Sequence, residues 1–182
     1  MKILIVHSVY TDLQLSGENN VVEMQTDFLK RINGIELRVV NQDNISKKFS
    51  YLRKFRAAVR VSTGIGKNPL KVYKDFRPDL IITHNLFPNF GTNWLKKVEI
   101  PTILYIHNFR DFCSSGNFFR SNKICELCMT KSLFSSIRYS CYRGSKFATF
   151  PLFVKQLREK SAGPKISNFV RYICVSNQIK EV

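Results

Sequence analysis

The chain has 182 residues, 44% of them hydrophobic, with 8 Gly and 6 Pro; that suits one well-cored domain, is short for two, and excludes a disordered or fibrous chain. A net charge of +16, from 29 Lys+Arg against 13 Asp+Glu, excludes an acidic surface and points to an anionic partner: nucleic acid, acidic lipid or a phosphorylated substrate. No apolar run approaches the ~20 residues of a membrane span, and MKILIVHSVY turns polar too early for a signal peptide, so the expectation is a soluble, cytoplasmic chain.

KILIVHS, residues 2 to 8, is a continuous apolar run of the kind a strand buried on both faces needs. A polar loop with Gly17 follows, and then Val21, Val22, Met24, Phe28, Leu29 and Ile32 recur at helical spacing until Asn33-Gly34. IELRVV, residues 35 to 40, is the second strand. A basic amphipathic helix is predicted from Ser46 to Val61 and a second from Leu70 to Phe76, stopped by Pro78. DLIITHN, residues 79 to 85, is the third strand; loop and short helix lead to PTILYIHN, the fourth, with Pro101 at its entrance. Ser132 to Leu157 reads as mostly helical with a break near Pro151, VRYICVSN, residues 170 to 177, is a fifth strand, and NQIKEV starts a helix. Alternating strands and helices predict an α/β fold, an open, doubly wound, Rossmann-like parallel sheet with helices on both faces.

In such a sheet ligands bind outside the carboxyl ends of the strands. There the sequence places His7 and Ser8, the loop with Gly17, Glu18 and Asn19, His84 and Asn85, His107 and Asn108, and Ser176 and Asn177. All three histidines fall at strand ends, where imidazole and amide groups suit sugar hydroxyls or phosphate oxygens. Taken singly, each histidine is better read as a satisfied core residue; the repeated strand-then-His-Asn form at His84 and His107 reverses that. Gly17 stands alone rather than in a G-x-G-x-x-G, so it serves either close approach of a ligand to the backbone or an ordinary helix start. Neither G-x-S-x-G, a P-loop nor H-E-x-x-H occurs.

The positive charge is concentrated. Ten basic residues and one acid, Asp75, lie between Ile45 and Arg77, and twelve basic residues and three acids between Arg110 and Arg171. A charge run is usually a solvated face; this extent favours an anionic surface. Phe49, Phe55 and Tyr73 interleave with the first run, but their spacing suits a core stripe better than nucleic-acid stacking. Cys113, Cys125, Cys128 and Cys141 form C-x11-C-x2-C-x12-C. Four thiolates suit tetrahedral zinc, although only one C-x-x-C knuckle is present; reduced, buried thiols are the other reading, and a redox pair is weaker because the C-x-x-C lies deep in a loop. Cys174, in the last strand, reads as core.

SGENNVV, PDLIITHNLFPNF, IPTILYIHNFRDFCSSGNFFRSNKICELC, YSCYRGS and RYICVSNQIKEV together resemble the N-terminal half of a family 4 retaining glycosyltransferase of the GT-B fold. The likeness covers most of the chain, least from Asn41 to Lys74. It implies the acceptor-side domain of an enzyme that moves a sugar from a nucleotide-sugar to a glycan or lipid-linked acceptor, as in the synthesis of lipopolysaccharide, capsule and other surface polysaccharides. It implies one Rossmann-like domain over 1–182 with a cysteine-containing excursion at about 109–143. His107 matches the histidine that faces the transferred sugar; Gly17, Glu18 and Asn19 match the loop near the donor phosphates, and His84, Asn85, Asn108 and Arg110 accompany them in the substrate cleft. The basic face would dock on anionic membrane at the inner leaflet. The nucleotide-sugar would be held mainly by a donor-binding C-terminal half with an E-x7-E element, which these residues do not contain, so the chain alone is expected to lack transferase activity. The cysteines would staple the excursion, through zinc or as thiols. The competing readings are a non-catalytic basic module for nucleic acid or acidic partners and a zinc-stabilised adaptor.

Overall fold

A computed structural model describes residues 1–9, 17–43, 51–161 and 170–181. The loop before Gly17, including Ser16, and the start of the predicted basic helix, including Phe49, lie outside the described residues. Five strands form one parallel sheet: β1 (Lys2–Val9), β2 (Glu36–Asp43), β3 (Leu80–Thr83), β4 (Thr102–Ile106) and, after the excursion, β7 (Val170–Cys174). Their order is β2-β1-β3-β4-β7. The chain steps outward from β1 to β2 and then returns to the other side of β1, so the direction of winding reverses between β1 and β3. In open sheets of this kind, ligands bind beyond the carboxyl ends of the strands near such a reversal.

Burial explains why the runs are strands. Ile3, Leu4, Ile5 and Val6 are all at most 1% exposed, each worth roughly 1.5–3 kcal/mol relative to exposure, and successive side chains supply opposite faces. On one face Leu4, Val6 and Ile81 pack with Phe76 of α3 (Leu70–Phe76) and with Trp94, Leu95 and Val98 around a 3-10 turn at Asn93–Lys97. On the other, Ile3, Ile5 and Ile82 pack with Val22 and Leu29 of α1 (Gly17–Lys30).

Several expectations change. Met24 and Phe28 of α1 are exposed, because only Val22 and Leu29 of the apolar positions face the sheet. The described basic helix, α2 (Tyr51–Thr63), leaves Phe55 at 67% exposure, so Phe55 belongs to no core stripe; Tyr73 does pack against the core. Between β4 and β7 lie a two-residue-strand hairpin, β5 (Phe119–Arg120) and β6 (Lys123–Ile124), and helices α4 (Leu127–Thr130), α5 (Phe134–Arg138) and α6 (Lys146–Ser161). α6 runs through Pro151. The helical break falls earlier, at 139–145, where Ser140, Arg143 and Gly144 take left-handed dihedrals, and Ser145 restarts the helix by accepting the Ala148 amide through its hydroxyl. β7 is an edge strand with Tyr172 and Ile173 exposed, so Cys174 is half-buried there rather than a core residue.

Gly91 joins the segment after α2 to the loop after β3. Its amide donates to the Lys67 carbonyl, and a Cβ there would lie 2.7 Å from the Gly66 amide nitrogen and closer still to the Gly64 carbonyl oxygen. Backbone on both sides leaves no cheap escape. Gly91→Ala is therefore expected to cost about 2 kcal/mol, lowering Tm by roughly 4–8 °C. Gly17, whose added Cβ would meet nothing within 4 Å, is the control: Gly17→Ala should stay within about 0.5 kcal/mol of the wild type by thermal denaturation.

Candidate functional site

The period of two along each strand decides which residues meet. Ile3 and Ile5 face α1, and so does His7, two residues on; Ile82 carries His84 with it, and Tyr105 carries His107. The register sets Val6 beside Thr83 and Thr83 beside Leu104, so His7, His84 and Tyr105 follow in neighbouring strands. The rings of His7 and His84 meet edge-on at 6.1 Å, His84 stacks on Tyr105 at 4.6 Å, and His107 stacks on His84 at 5.3 Å.

Their polar atoms are joined in a chain. The Gln25 amide, on α1, has its Oε1 2.8 Å from His84 Nε2 and donates through Nε2 to the Tyr105 hydroxyl at 3.2 Å. His84 Nδ1 lies 3.0 Å from His107 Nε2. An amide oxygen only accepts, so His84 carries its proton on Nε2 and offers a lone pair at Nδ1. His107 must then donate from Nε2, which leaves its Nδ1 as the lone-pair nitrogen. His7 Nε2 likewise donates to Asn19 Oδ1 at 3.0 Å, and His7 Nδ1 has no partner among the described residues.

Burial keeps these rings neutral. Desolvation pushes His84 down to about 3, aided by His107 and His7. Desolvation also lowers His107 and His7, opposed at His107 by Glu18 and at His7 by the Asn19 bond and Glu18.

Around them, Asn108 donates to Glu18 Oε1 at 2.8 Å and accepts from the Arg110 amide at 3.0 Å. The Arg110 guanidinium lies over Phe87 at 4.8 Å and Tyr142 at 5.7 Å, while its Nε and Nη1 are buried with no hydrogen-bond partner among the described residues. Glu18 Oε2 likewise has no partner among the described residues. Buried donors and acceptors left unmade cost about 1–3 kcal/mol each, more when charged, and such a cost is recovered when a ligand supplies the bonds.

A cavity of about 760 Å³ opens here, with Glu18, His84, Asn85, His107, Asn108 and Arg110 on its wall. Arg60, Lys96, Lys155, Arg158 and Lys160 add positive charge, against Glu18, Asp111 and Glu159. Lys155 is tied to Asp111 and, at 2.9 Å, to Glu159; Lys155 holds the Asp111 carboxyl below its ordinary value.

Six of the residues predicted for the substrate cleft therefore share one crevice, and Cys128 is on its wall as well. Gly17 and Asn19 are not on its wall; Asn19 instead anchors His7. Ser8 and Asn85 bind each other's strands, Ser8 donating its amide to the Asn85 carbonyl at 2.6 Å, and Ser176 caps α7 (Asn177–Lys180), a structural duty. Gln25 and Tyr105 escaped the sequence reading. Gln25 had a signal: it lies three residues after Val22 and four before Leu29, a polar residue on the buried face of α1. The four cysteines are free, and among the described residues no group of three or more His, Cys, Asp or Glu stands ready to hold a metal ion. Nor is any helix long and apolar enough to cross a membrane, among the described residues.

Comparison with protein-family models, with curated proteins and with solved structures gives no match.

Two outcomes are expected. Below about pH 6.5 the unfolded chain protonates its imidazoles while the folded chain does not, so stability is highest above that pH and falls as the pH drops from 6.5 towards the depressed folded value. Between pH 7 and pH 5 His84 should account for a loss of about 1–2 kcal/mol, absent in His84→Gln when denaturant midpoints are compared at the two pH values. In Gln25→Leu, which removes the oxygen that fixes His84, nitrogen-15 spectra should show His107 as a tautomer mixture; an unchanged His107 would mean that Gln25 does not set its proton.

Proposed function

We propose that this domain binds a sugar-phosphate ligand, the lipid-linked or glycan acceptor of a glycosyltransferase of the GT-B type, and serves as the acceptor side of sugar transfer in surface-polysaccharide synthesis. The observation that carries the reading is the crevice beyond the carboxyl ends of β3 and β4, where neutral imidazole nitrogens, a buried carboxylate oxygen and two buried Arg110 N–H groups without partners among the described residues meet. A sugar phosphate brings what each lacks. Its hydroxyls donate to His107 Nδ1 and Glu18 Oε2, and its anionic oxygens accept from the Arg110 Nε and Nη1 pair, a charge-assisted arrangement stronger than neutral bonds. His84 and Gln25 act through His107 by holding its tautomer, and Asn108 acts by holding Glu18. The nucleotide of the donor falls to a second, donor-binding unit, on the same or another chain.

The outer surface supports a place beside anionic lipid. On α2, exposed Tyr51, Leu52, Phe55 and Val59 interleave with Lys54, Arg56 and Arg60, and the helix carries no acid. Apolar and basic groups on one short helix suit the headgroup boundary, where each Lys or Arg is worth about 1 kcal/mol near an anionic surface.

Calorimetric titration with a short-chain polyprenyl diphosphate-linked monosaccharide tests the site. Binding should weaken roughly 10–100-fold in Arg110→Gln, the loss of a bond to a charged group, and should also fall in His107→Ala with the fold retained by circular dichroism. Binding of random oligonucleotides that declines steeply with salt, alongside indifference to the diphosphate ligand, would replace this reading with the nucleic-acid module. Phosphatidylserine vesicles should retain the protein in sedimentation at low salt and lose much of it in Phe55→Ser; equal retention of both would remove α2 from the contact.

A further inference from the structure

The excursion between β4 and α6 has too little core to hold its shape. From Phe112 to Ser145, Phe118 is the only large apolar side chain that is buried, while Phe119, Ile124, Met129, Phe134 and Tyr139 are exposed. Small units with so few buried apolar groups ordinarily need a covalent or metal staple. No disulfide is present.

The backbone nevertheless draws the four cysteines together in two matched pairs. The Phe118 amide donates to the Cys113 sulfur, and its carbonyl accepts from the Cys125 amide at 2.7 Å. The Ser136 amide donates to the Cys128 sulfur, and its carbonyl accepts from the Cys141 amide at 3.0 Å. One residue thus bridges Cys113 to Cys125, another bridges Cys128 to Cys141, and C-x-x-C at the exit of the β5–β6 hairpin joins the pairs. Cys113 receives two further amides, from Ser115 and Gly116, and its sulfur lies 3.0 Å from the Ser115 hydroxyl. Amide donors around sulfur favour thiolate over thiol, and such outer bonds are what orient metal-bound thiolates.

We propose that Cys113, Cys125, Cys128 and Cys141 bind one zinc ion as a structural, four-thiolate site that fixes the excursion against the crevice. Among the described residues the thiols do not form a ready ligand set; an entering ion would draw the four sulfurs to about 2.3 Å from itself. Four thiols release their protons as the ion enters, and the resulting negative site has Arg120 beside Cys125. Sulfur-only tetrahedral ligation selects zinc or iron–sulfur, and the single C-x-x-C with long flanking spacers is fitted to one ion. The proposal does not need the sugar-phosphate reading: no cysteine is assigned a bond to that ligand, although Cys128 also lies on the cavity wall.

Elemental analysis of the untagged, colourless protein should give one zinc per chain. Cys125→Ser and Cys128→Ser should lower it at least fivefold, and Cys174→Ser, outside the cluster, should retain it. Should the serine variants fail to fold, titration of chelator-treated wild type with cobalt(II) decides: the visible bands of a tetrahedral tetrathiolate saturating at one equivalent, with four thiols protected from alkylation, is the expected result. Absence of stoichiometric metal, bound iron, or cobalt that leaves those thiols reactive would overturn the proposal.

Discussion

The alternation of side chains along a strand governs this site. His7, His84 and His107 share the α1 face of the sheet because each follows an inward residue of its strand by two positions, at Ile5, Ile82 and Tyr105. A shift of one residue in any strand would send its histidine to the opposite layer. The apolar register that buries Ile3, Ile5 and Ile82 therefore also assembles the polar rim, and core stability and site geometry are one constraint.

Desolvation then sets the chemistry. The same burial that makes the sheet stable keeps the imidazoles uncharged, so they act as directional hydrogen-bonding groups instead of cations. Among the positive groups on the wall, Arg110 is one that cannot shed its proton to escape burial. Its aromatic neighbours Phe87 and Tyr142 offset part of the cost without using its N–H groups. Neutral acceptors beside a guanidinium with two N–H groups unpartnered among the described residues distinguish this crevice from a purely basic groove, which would attract polyanions by charge alone.

The strands were legible because parallel strands buried on both faces read as unbroken apolar runs, and α3 was bounded by Leu70 and by Phe76, just before Pro78, as its composition suggested. The rim was legible for the same reason, since three of the five runs end in His-Asn or His-Ser. The parity that unites the three histidines could have been counted, and Gln25 could have been found as a polar break in the buried stripe of α1. Other features depend on tertiary context. The β5–β6 hairpin has strands of two residues and rests on left-handed dihedrals at Ser121 and Asn122, too short a signal for periodicity. Pro151 suggested a helix break that α6 does not make, and the apolar spacing of α2 looked like a core stripe although no described element covers Phe55.

The hydrogen bond between His84 and His107 is the joint on which the crevice is built, and it is directly observable. Nitrogen-15 spectroscopy of the uniformly labelled protein should show scalar coupling across the bond between His84 Nδ1 and His107 Nε2, with the proton attached to His107. Two uncoupled rings, or a proton residing on His84 Nδ1, would contradict the account.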